Sequence, residues 1–384
     1  MTIAELIIDS SKKAINFQTN EGLMPQGHNG PYNDNETPVR NTSHWLITFS
    51  KAYELTNDKI FFNALLKAAN YLLSDKARPY NFSFLHRTGS QLDSCNGLIG
   101  QAWTIEALST ASNILNNSIY SELGEEVFFQ HNFNYDYGLW NRLEIDGEIK
   151  SIDSAFNHQL WFAACVAQLK GSRKKECDSI VNRFISCLPN SMSVINNGLI
   201  FHPIKNIEKL QDIYENKPFR VSIRMKIKEM INSLLLSKKE LKKSEITRID
   251  KMIYKSIGYH HFNMYAFALL KNQYPKNNYW KNSEFRSTIK YLIRDDYKNE
   301  LENNSFGYPY NPPGFEIPYA LEVLSELEKD ELSIISSYWV NKQISKCYNP
   351  QTKMMDRNTL DPHTHSARLY ELTRFSNLNL KIST

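Results

Sequence analysis

One pattern limits the fold of this chain more than any other: a single unit of sequence is written six times. Each copy has a short apolar patch beside Gly or Asn, then a polar loop, then an amphipathic helix. Asn20-Glu-Gly-Leu-Met leads to Asn41-Thr-Ser-His-Trp, and Phe84-Leu-His-Arg leads to Asp93-Ser-Cys-Asn-Gly. Tyr137-Gly-Leu-Trp-Asn-Arg leads to Asp153-Ser-Ala-Phe-Asn-His, and Asn197-Gly-Leu-Ile-Phe-His to Gly258-Tyr-His-His-Phe-Asn. Phe306-Gly-Tyr-Pro-Tyr leads to Gly314-Phe-Glu-Ile-Pro-Tyr, and Met354-Met-Asp-Arg to Asp361-Pro-His-Thr-His. The helix starts lie about 50 to 60 residues apart, with one gap roughly twice as long, a spacing that marks repeat architectures. One such unit cannot bury its apolar face alone, so neighbours must stack. Six units of two helices each predict a closed ring with six polar loops gathered at one mouth.

A ring cannot be cut without exposing its core, so the 384 residues are read as one all-α domain, 1–384. Apolar residues at 41% suffice for a large core. A net charge of +4 is too small at this length for a nucleic-acid partner. Five cysteines at irregular spacing, with no Cys-x-x-Cys, argue for reduced thiols rather than a disulfide framework. The start of the chain carries acids early and reads as an amphipathic helix, not a leader. No apolar run approaches a membrane span. The expectation is a cytoplasmic protein with no cofactor or metal, its oligomeric state open.

Helical spacing of apolar residues covers about 43–55, 59–74, 96–115, 154–170, 174–187, 259–273, 282–294, 315–328, 331–345 and 364–375. Asp146-Gly147 between alternating residues predicts a hairpin within the ring's loops. The long gap, 205–256, is rich in Lys and Arg and reads as a basic helical insertion. Within it, 220–237 is amphipathic with a basic face, suited to packing on the ring, covering the mouth or touching an anionic membrane surface.

Residues just before the inner helices should point into one funnel, the default place for an active site. Candidate catalysts there are Asp93, Asp153, His158, His260, His365 and Glu316. Candidate substrate contacts are Arg40, His44, Arg87, Asn96, Arg142, His261, Tyr308, Tyr310, Arg357, His363 and Arg368. Asp93 and Asp153 are equally readable as helix caps. Glu316 between apolar neighbours is expected to be desolvated, which raises a carboxyl pKa and suits an acid. Five of the ten histidines lie at the starts of three inner helices, and imidazole is the group best suited to take and return a proton near neutral pH. Of the pair His260 and His261, His260 is expected to face the funnel. Of His363 and His365 it is His365, with Arg368 on the same side. No His-Glu-x-x-His, Gly-rich phosphate loop or Gly-x-Ser-x-Gly is present.

With these residues in place the chain resembles the six-hairpin, or (α/α)6-toroid, proteins. That resemblance implies carbohydrate chemistry of the N-acylglucosamine 2-epimerase, unsaturated glucuronyl hydrolase, glycosidase or polysaccharide lyase kind. Tyr308-Pro-Tyr-Asn-Pro-Pro-Gly-Phe-Glu and Asp361-Pro-His-Thr-His-Ser-Ala-Arg-Leu-Tyr-Glu are also similar to proteins of surface-glycan or glycosylation clusters. The C-terminal Trp- and His-rich stretch of the 2-epimerases is missing. The resemblance implies a sugar or oligosaccharide as partner, and the arginines favour an anionic one. Three readings stand: a sugar epimerase or isomerase working through histidines, a glycoside hydrolase working through carboxylates, and a non-catalytic glycan-binding protein. Fold alone does not choose among them.

Overall fold

The computed structural model describes residues 1–89, 92–195, 197–205 and 243–383. The segment 220–237, and most of the basic insertion, lie outside the described residues. Six elements form an inner ring: α2 (Val39–Thr56), α4 (Gly97–Leu115), α6 (Phe156–Val166), α8 (Lys243–Gln273), α11 (Pro313–Leu324) and a terminal element. The terminal element is α13 (Pro362–Ala367) running directly into a 3-10 helix, Arg368–Arg374. Each packs on the next, and the last returns to α2, so the ring is closed. Around it lie α1 (Ile3–Ile15), α3 (Lys59–Leu72), α5 (Ile119–Gln130), α7 (Lys174–Ser191), α9 (Ser283–Tyr291), α10 (Asp295–Leu301) and α12 (Lys329–Cys347). This is the (α/α)6 toroid. Residues 243–256, assigned by spacing to the insertion, continue without a break into inner helix α8.

The two layers follow from how apolar residues are spread. In α2, every residue from Val39 to Ser50 is buried, and α4 is buried from Gly97 to Ser109. A helix apolar on all sides belongs inside. In contrast, α1 buries Ile3, Leu6, Ile7, Ser10, Ser11 and Ala14, one stripe at three and four spacing. Thr2 and Glu5 form a reciprocal capping box at its start. The seam of the ring is backbone: Ala4 N–H donates to Leu378 O at 2.9 Å and Ile382 N–H to Met1 O at 2.8 Å.

Between α5 and α6 lies the hairpin marked by Asp146-Gly147. It forms a three-stranded antiparallel sheet of β1 (Phe133–Asn134), β2 (Leu139–Leu143) and β3 (Ile149–Ile152), in that order. Gly147 takes a φ of +89°, which the turn requires and an L side chain resists. Helix α5 escaped the spacing analysis because Gly124 interrupts its pattern; the glycine admits Leu169, whose side chain would lie 2.7 Å from an added Cβ. The run at 282–294 is the single helix α9, which stops at Tyr291, and α10 follows beyond it from Asp295. No helix among the described residues is long and apolar enough to cross a membrane.

Candidate active site

Side chains from the early turns of α2, α4, α6, α11 and the terminal element meet Phe262 and His261, from the middle of α8, near the centre of the ring. Arg40 of α2 lies over the Trp103 ring of α4, 4.1 Å from its centre. His44 of α2 stacks on Tyr370 of the terminal 3-10 helix at 4.3 Å and meets Trp103 edge-on. Arg368 lies over Phe262 of α8, whose ring stacks on Trp161 of α6. Contacts among five inner elements define one chamber. Its walls are aromatic and its contents polar.

At the centre is a four-residue cluster. The Glu316 carboxyl bonds His261 Nδ1 through Oε2 and Arg368 through Oε1. Arg368 also donates to Glu371 at 2.9 Å and to Asn311 at 3.1 Å. All four cluster residues are essentially unexposed. Burial pushes the Glu316 carboxyl up to about 8, against the pull of Arg368. Burial, helped by Arg368, holds His261 neutral, well below the ordinary histidine range. His261 Nε2 and Glu371 Oε2 have no protein partner. The carboxyl and the imidazole are bonded to each other, so the value near 8 belongs to the pair rather than to either residue. With the proton on Glu316, His261 carries its hydrogen on Nε2 and can donate it. As that hydrogen leaves, the carboxyl proton crosses to Nδ1 and Nε2 becomes a base. One bonded pair thus presents both an acid and a base form at the same atom.

A second imidazole–carboxylate pair stands at the mouth. His158 Nδ1 bonds Asp153 Oδ2 at 2.8 Å, and His158 is about a quarter exposed. Asp153 also accepts the backbone N–H of Leu98 at 3.0 Å and of Ala155 at 3.2 Å. Burial alone would raise this carboxyl, but His158 and the two N–H groups overcome it and hold it at about 2. Ionised Asp153 accepts a hydrogen bond from His158 Nδ1–H, which fixes the tautomer of the neutral ring with its lone pair at Nε2. The local backbone is built for this: Asn96 and Gly97 both have positive φ, 54° and 56°, which turns the Gly97 and Leu98 N–H groups toward the carboxylates. A Cβ on Gly97 would lie 2.5 Å from Asp153 Oδ2. Asp93 accepts the Gly97 N–H at 3.0 Å and is clamped by Arg87 and Arg142, the latter at 2.7 Å. Burial would raise it too, yet the two guanidinium groups hold it below the usual carboxylate range. Both aspartates therefore serve the start of α4 and are committed as anions.

A carboxylate whose pKa is lowered by folding stabilises above its unfolded value and loses that contribution as pH falls through the folded one. For Asp153, held at about 2 against an ordinary 3.8, this is worth roughly 2 kcal/mol. Asp153→Asn should cost that much at pH 7 in urea denaturation, and the gap to the native chain should close as pH drops from about 4 toward 2. A gap independent of pH would show that its charge does not matter to folding.

The structure separates the remaining candidates. His260 faces away from the chamber: Nε2 bonds Thr288 O at 3.0 Å, and Nδ1 accepts the Ile200 N–H at 3.3 Å. Its neighbour His261 points inward instead, because one residue along a helix turns the side chain by about 100°. His365 also faces the outer layer, its Nε2 at 3.2 Å from Gln343 of α12. Burial depresses both imidazoles to about 3. Arg368, three residues on, still reaches the chamber, where it meets Glu316 and Phe262. His363 is exposed against Phe17, and Arg357 is exposed near Gln351. Tyr308 packs beside Trp339 and under Lys346, on the outer layer. Arg40, His44, Tyr310 and Glu316 lie within the chamber; Arg87, Arg142, Asn96 and His158 line its mouth.

Several chamber residues were not singled out from sequence. Glu36 pairs with Arg40 at 2.9 Å, and burial raises its carboxyl. Tyr310 Oη donates to Asn29 Oδ1 at 2.7 Å, which also takes a bond from Arg40. Trp103, Tyr259 and Glu371 complete the walls. Opposite charges at i, i+4 in Glu36 and Arg40, and at i, i+3 in Arg368 and Glu371, were the available signals.

No protein-family model matches the chain. Archaeal glycosylation protein Q of Haloferax volcanii is 38% identical over 379 residues, 99% of both chains. The chain belongs to the archaeal glycosylation protein Q family. Among solved structures, cellobiose 2-epimerase from Bacillus thermoamylovorans superposes with a TM-score of 0.63 over 97% of this chain and 99% of its own, at 10% identity. A D-mannose isomerase gives 0.61 over 97% of each chain at 14% identity. An unsaturated glucuronyl hydrolase specific for heparin gives 0.61 over 99% and 98%, at 13% identity. At these identities the likeness is one of fold. Members of the archaeal glycosylation protein Q family thus share the toroid of carbohydrate-active epimerases, isomerases and hydrolases.

Proposed function

We propose that this member of the archaeal glycosylation protein Q family is a sugar epimerase or isomerase acting in glycan metabolism. The observation that carries this reading is a pair of imidazole–carboxylate couples on adjacent inner helices, α6 and α8, whose carboxyls are driven in opposite directions. Asp153 is held at about 2 and Glu316 is pushed to about 8. Environments that push two titratable groups apart mark the base and the acid. His158, supported by ionised Asp153, takes the proton from the carbon beside the open-chain sugar carbonyl. The protonated Glu316–His261 pair donates through Nε2 to the carbonyl oxygen, giving a neutral enediol. When protonated His158 returns its proton to the neighbouring carbon and His261 Nε2 takes the other enediol hydroxyl proton, the carbonyl moves; when His261 instead reclaims the hydroxyl proton and delivers it to the opposite face of the original carbon, that centre inverts and His158 releases its proton to solvent. Arg40 and Arg368 supply fixed positive charge for the developing oxyanion and favour a substrate bearing a carboxylate.

Hydrolysis is less well supported. It needs two carboxyl groups about 5 to 9.5 Å apart on either side of the scissile bond. Asp93 and Asp153 are bound to the start of α4, and Glu316 and Glu371 share a single guanidinium.

The test is proton NMR in heavy water, with the purified protein and a panel of uronic acids, hexosamines and short oligosaccharides. Deuterium entering at a sugar carbon without chain cleavage is the expected result. New reducing ends without carbon exchange would overturn it in favour of hydrolysis.

A further inference from the structure

The chamber is shut. Arg40, His44, His261, Glu316 and Arg368 are each at most 1% exposed, yet any sugar must touch them. What closes it is contributed from across the ring. Tyr32 belongs to the loop between α1 and α2, in the first unit. Its hydroxyl lies 2.8 Å from that of Tyr259 on α8, in the fourth unit, and its ring contacts Phe306 and Tyr310 of the fifth. Units one and four of a six-membered ring are opposite each other, so this side chain spans the opening. Tyr259 and Tyr310 lie beneath it, both under 10% exposed, and Tyr310 leads through Asn29 to Arg40. Lys255 holds the assembly from the side. Its ammonium stands 5.2 Å from the centre of Tyr32, 5.4 Å from Tyr259 and 5.9 Å from Phe306. No carboxylate pairs with it among the described residues.

The loop is tied down at its base and narrow at its tip. Asp361 takes the N–H groups of His28 at 2.8 Å and Gly30 at 3.1 Å, and Thr37 N–H donates to His86 O at 2.9 Å. Between these anchors, Asn29, Gly30 and Asn33 have positive φ, and a one-turn 3-10 helix presents Tyr32. Gly30 sits so close over Tyr310 that a Cβ there would lie 2.4 Å from the ring.

We propose that Tyr32 is the gate of the chamber, latched by Tyr259 and Lys255, and that it swings outward to admit a sugar. The latch is one phenol–phenol hydrogen bond and a partly exposed cation–π contact, both weak interactions. Such a latch opens often while the anchored loop base stays in place. Gly30 is required because only glycine lets the tip lie flat on Tyr310 when closed.

Carbethoxylation of histidines by diethyl pyrocarbonate, read residue by residue by mass spectrometry, tests this without any sugar, so its outcome is independent of the proposed reaction. Neutral His44 and His261 are reactive once reached, and exposed His363 is the internal standard. In the native chain both should label far more slowly than His363. Tyr32→Ala should speed them about tenfold or more with His363 unchanged, and Tyr32→Phe, which keeps the ring and loses the bond, should fall between. Gly30→Ala, whose methyl pushes the tip off the Tyr310 ring and leaves the Tyr32 and Tyr259 side chains unaltered, should also open the chamber; its thermal unfolding shows whether the fold survives. Chamber histidines that label as fast as His363 in the native chain, or at unchanged rates in Tyr32→Ala and Gly30→Ala, would overturn the gate.

Discussion

Replacing His261 with glutamine should reduce the exchange of sugar carbon-bound hydrogen by about 10²- to 10⁴-fold, the usual contribution of one positioned acid–base group. Glutamine keeps a polar group beside Glu316 but cannot carry a proton through to the substrate. The matched control is His260→Gln. That imidazole bonds the backbone of Ile200 and Thr288, so its loss should cost about 1 to 3 kcal/mol of stability and leave exchange per folded molecule intact. The two variants differ by one position in sequence and by the whole thickness of a helix in space. Glu316→Gln supplies a second readout. The native rate should fall as pH rises through about 8, where the Glu316–His261 pair loses its proton, and the variant should have lost that alkaline limb along with most of its activity. Exchange that survives in His261→Gln, or that disappears equally in His260→Gln, would remove His261 from the reaction.

The contrast between these neighbours also shows what was legible in the sequence. Helix period, loop spacing and the Asp146-Gly147 turn are local properties, and they carried the ring, the inner helices and the hairpin. The loops that would meet at the mouth followed from the repeat, so Arg40, His44, Tyr310 and Glu316 were recognisable as chamber residues. Facing was harder. In an inner helix buried on all sides there is no polar stripe to mark the axis, so His260 and His261 are equivalent by pattern. What distinguishes them is Thr288 O on α9, which fills the outward position. His365 and Arg368, three residues apart and so about 60° around a helix, are divided in the same way, by Gln343 of α12 on the outer side. The double role of Asp153 was open because a cap normally serves its own helix. Here it serves α4, the preceding inner helix, while its contact with His158, five residues on, is local.

The largest stability effect is expected at Arg368. Its guanidinium, 1% exposed, joins Glu316, Glu371 and Asn311, and it is the cation shared by two buried carboxyl groups. Removing one partner of such a set typically costs about 3 to 5 kcal/mol, because the buried carboxyl groups left behind lose their hydrogen-bond donor and keep their desolvation penalty. Arg368→Met, which keeps much of the length and none of the charge, should lower the urea midpoint accordingly at pH 7. The pH dependence gives the mechanism. Burial raises Glu316 to about 8 from an ordinary 4.5, and Glu371 is raised well above its ordinary value as well. In the folded chain these groups hold protons that the unfolded chain has released, so their effect on stability is most favourable at low pH and is lost as pH rises through the folded value. Without Arg368 the folded values rise further, and the loss extends to higher pH. The difference between native and Arg368→Met proteins should therefore stay level up to about pH 8 and widen from pH 8 to pH 10. Adding Glu371→Gln to Arg368→Met should recover part of the loss, since one buried carboxyl left without its donor is then gone. A cost under 1 kcal/mol, or one that stays flat across that range, would mean that Arg368 is held for catalysis alone and that the carboxyl pair shares a proton without it.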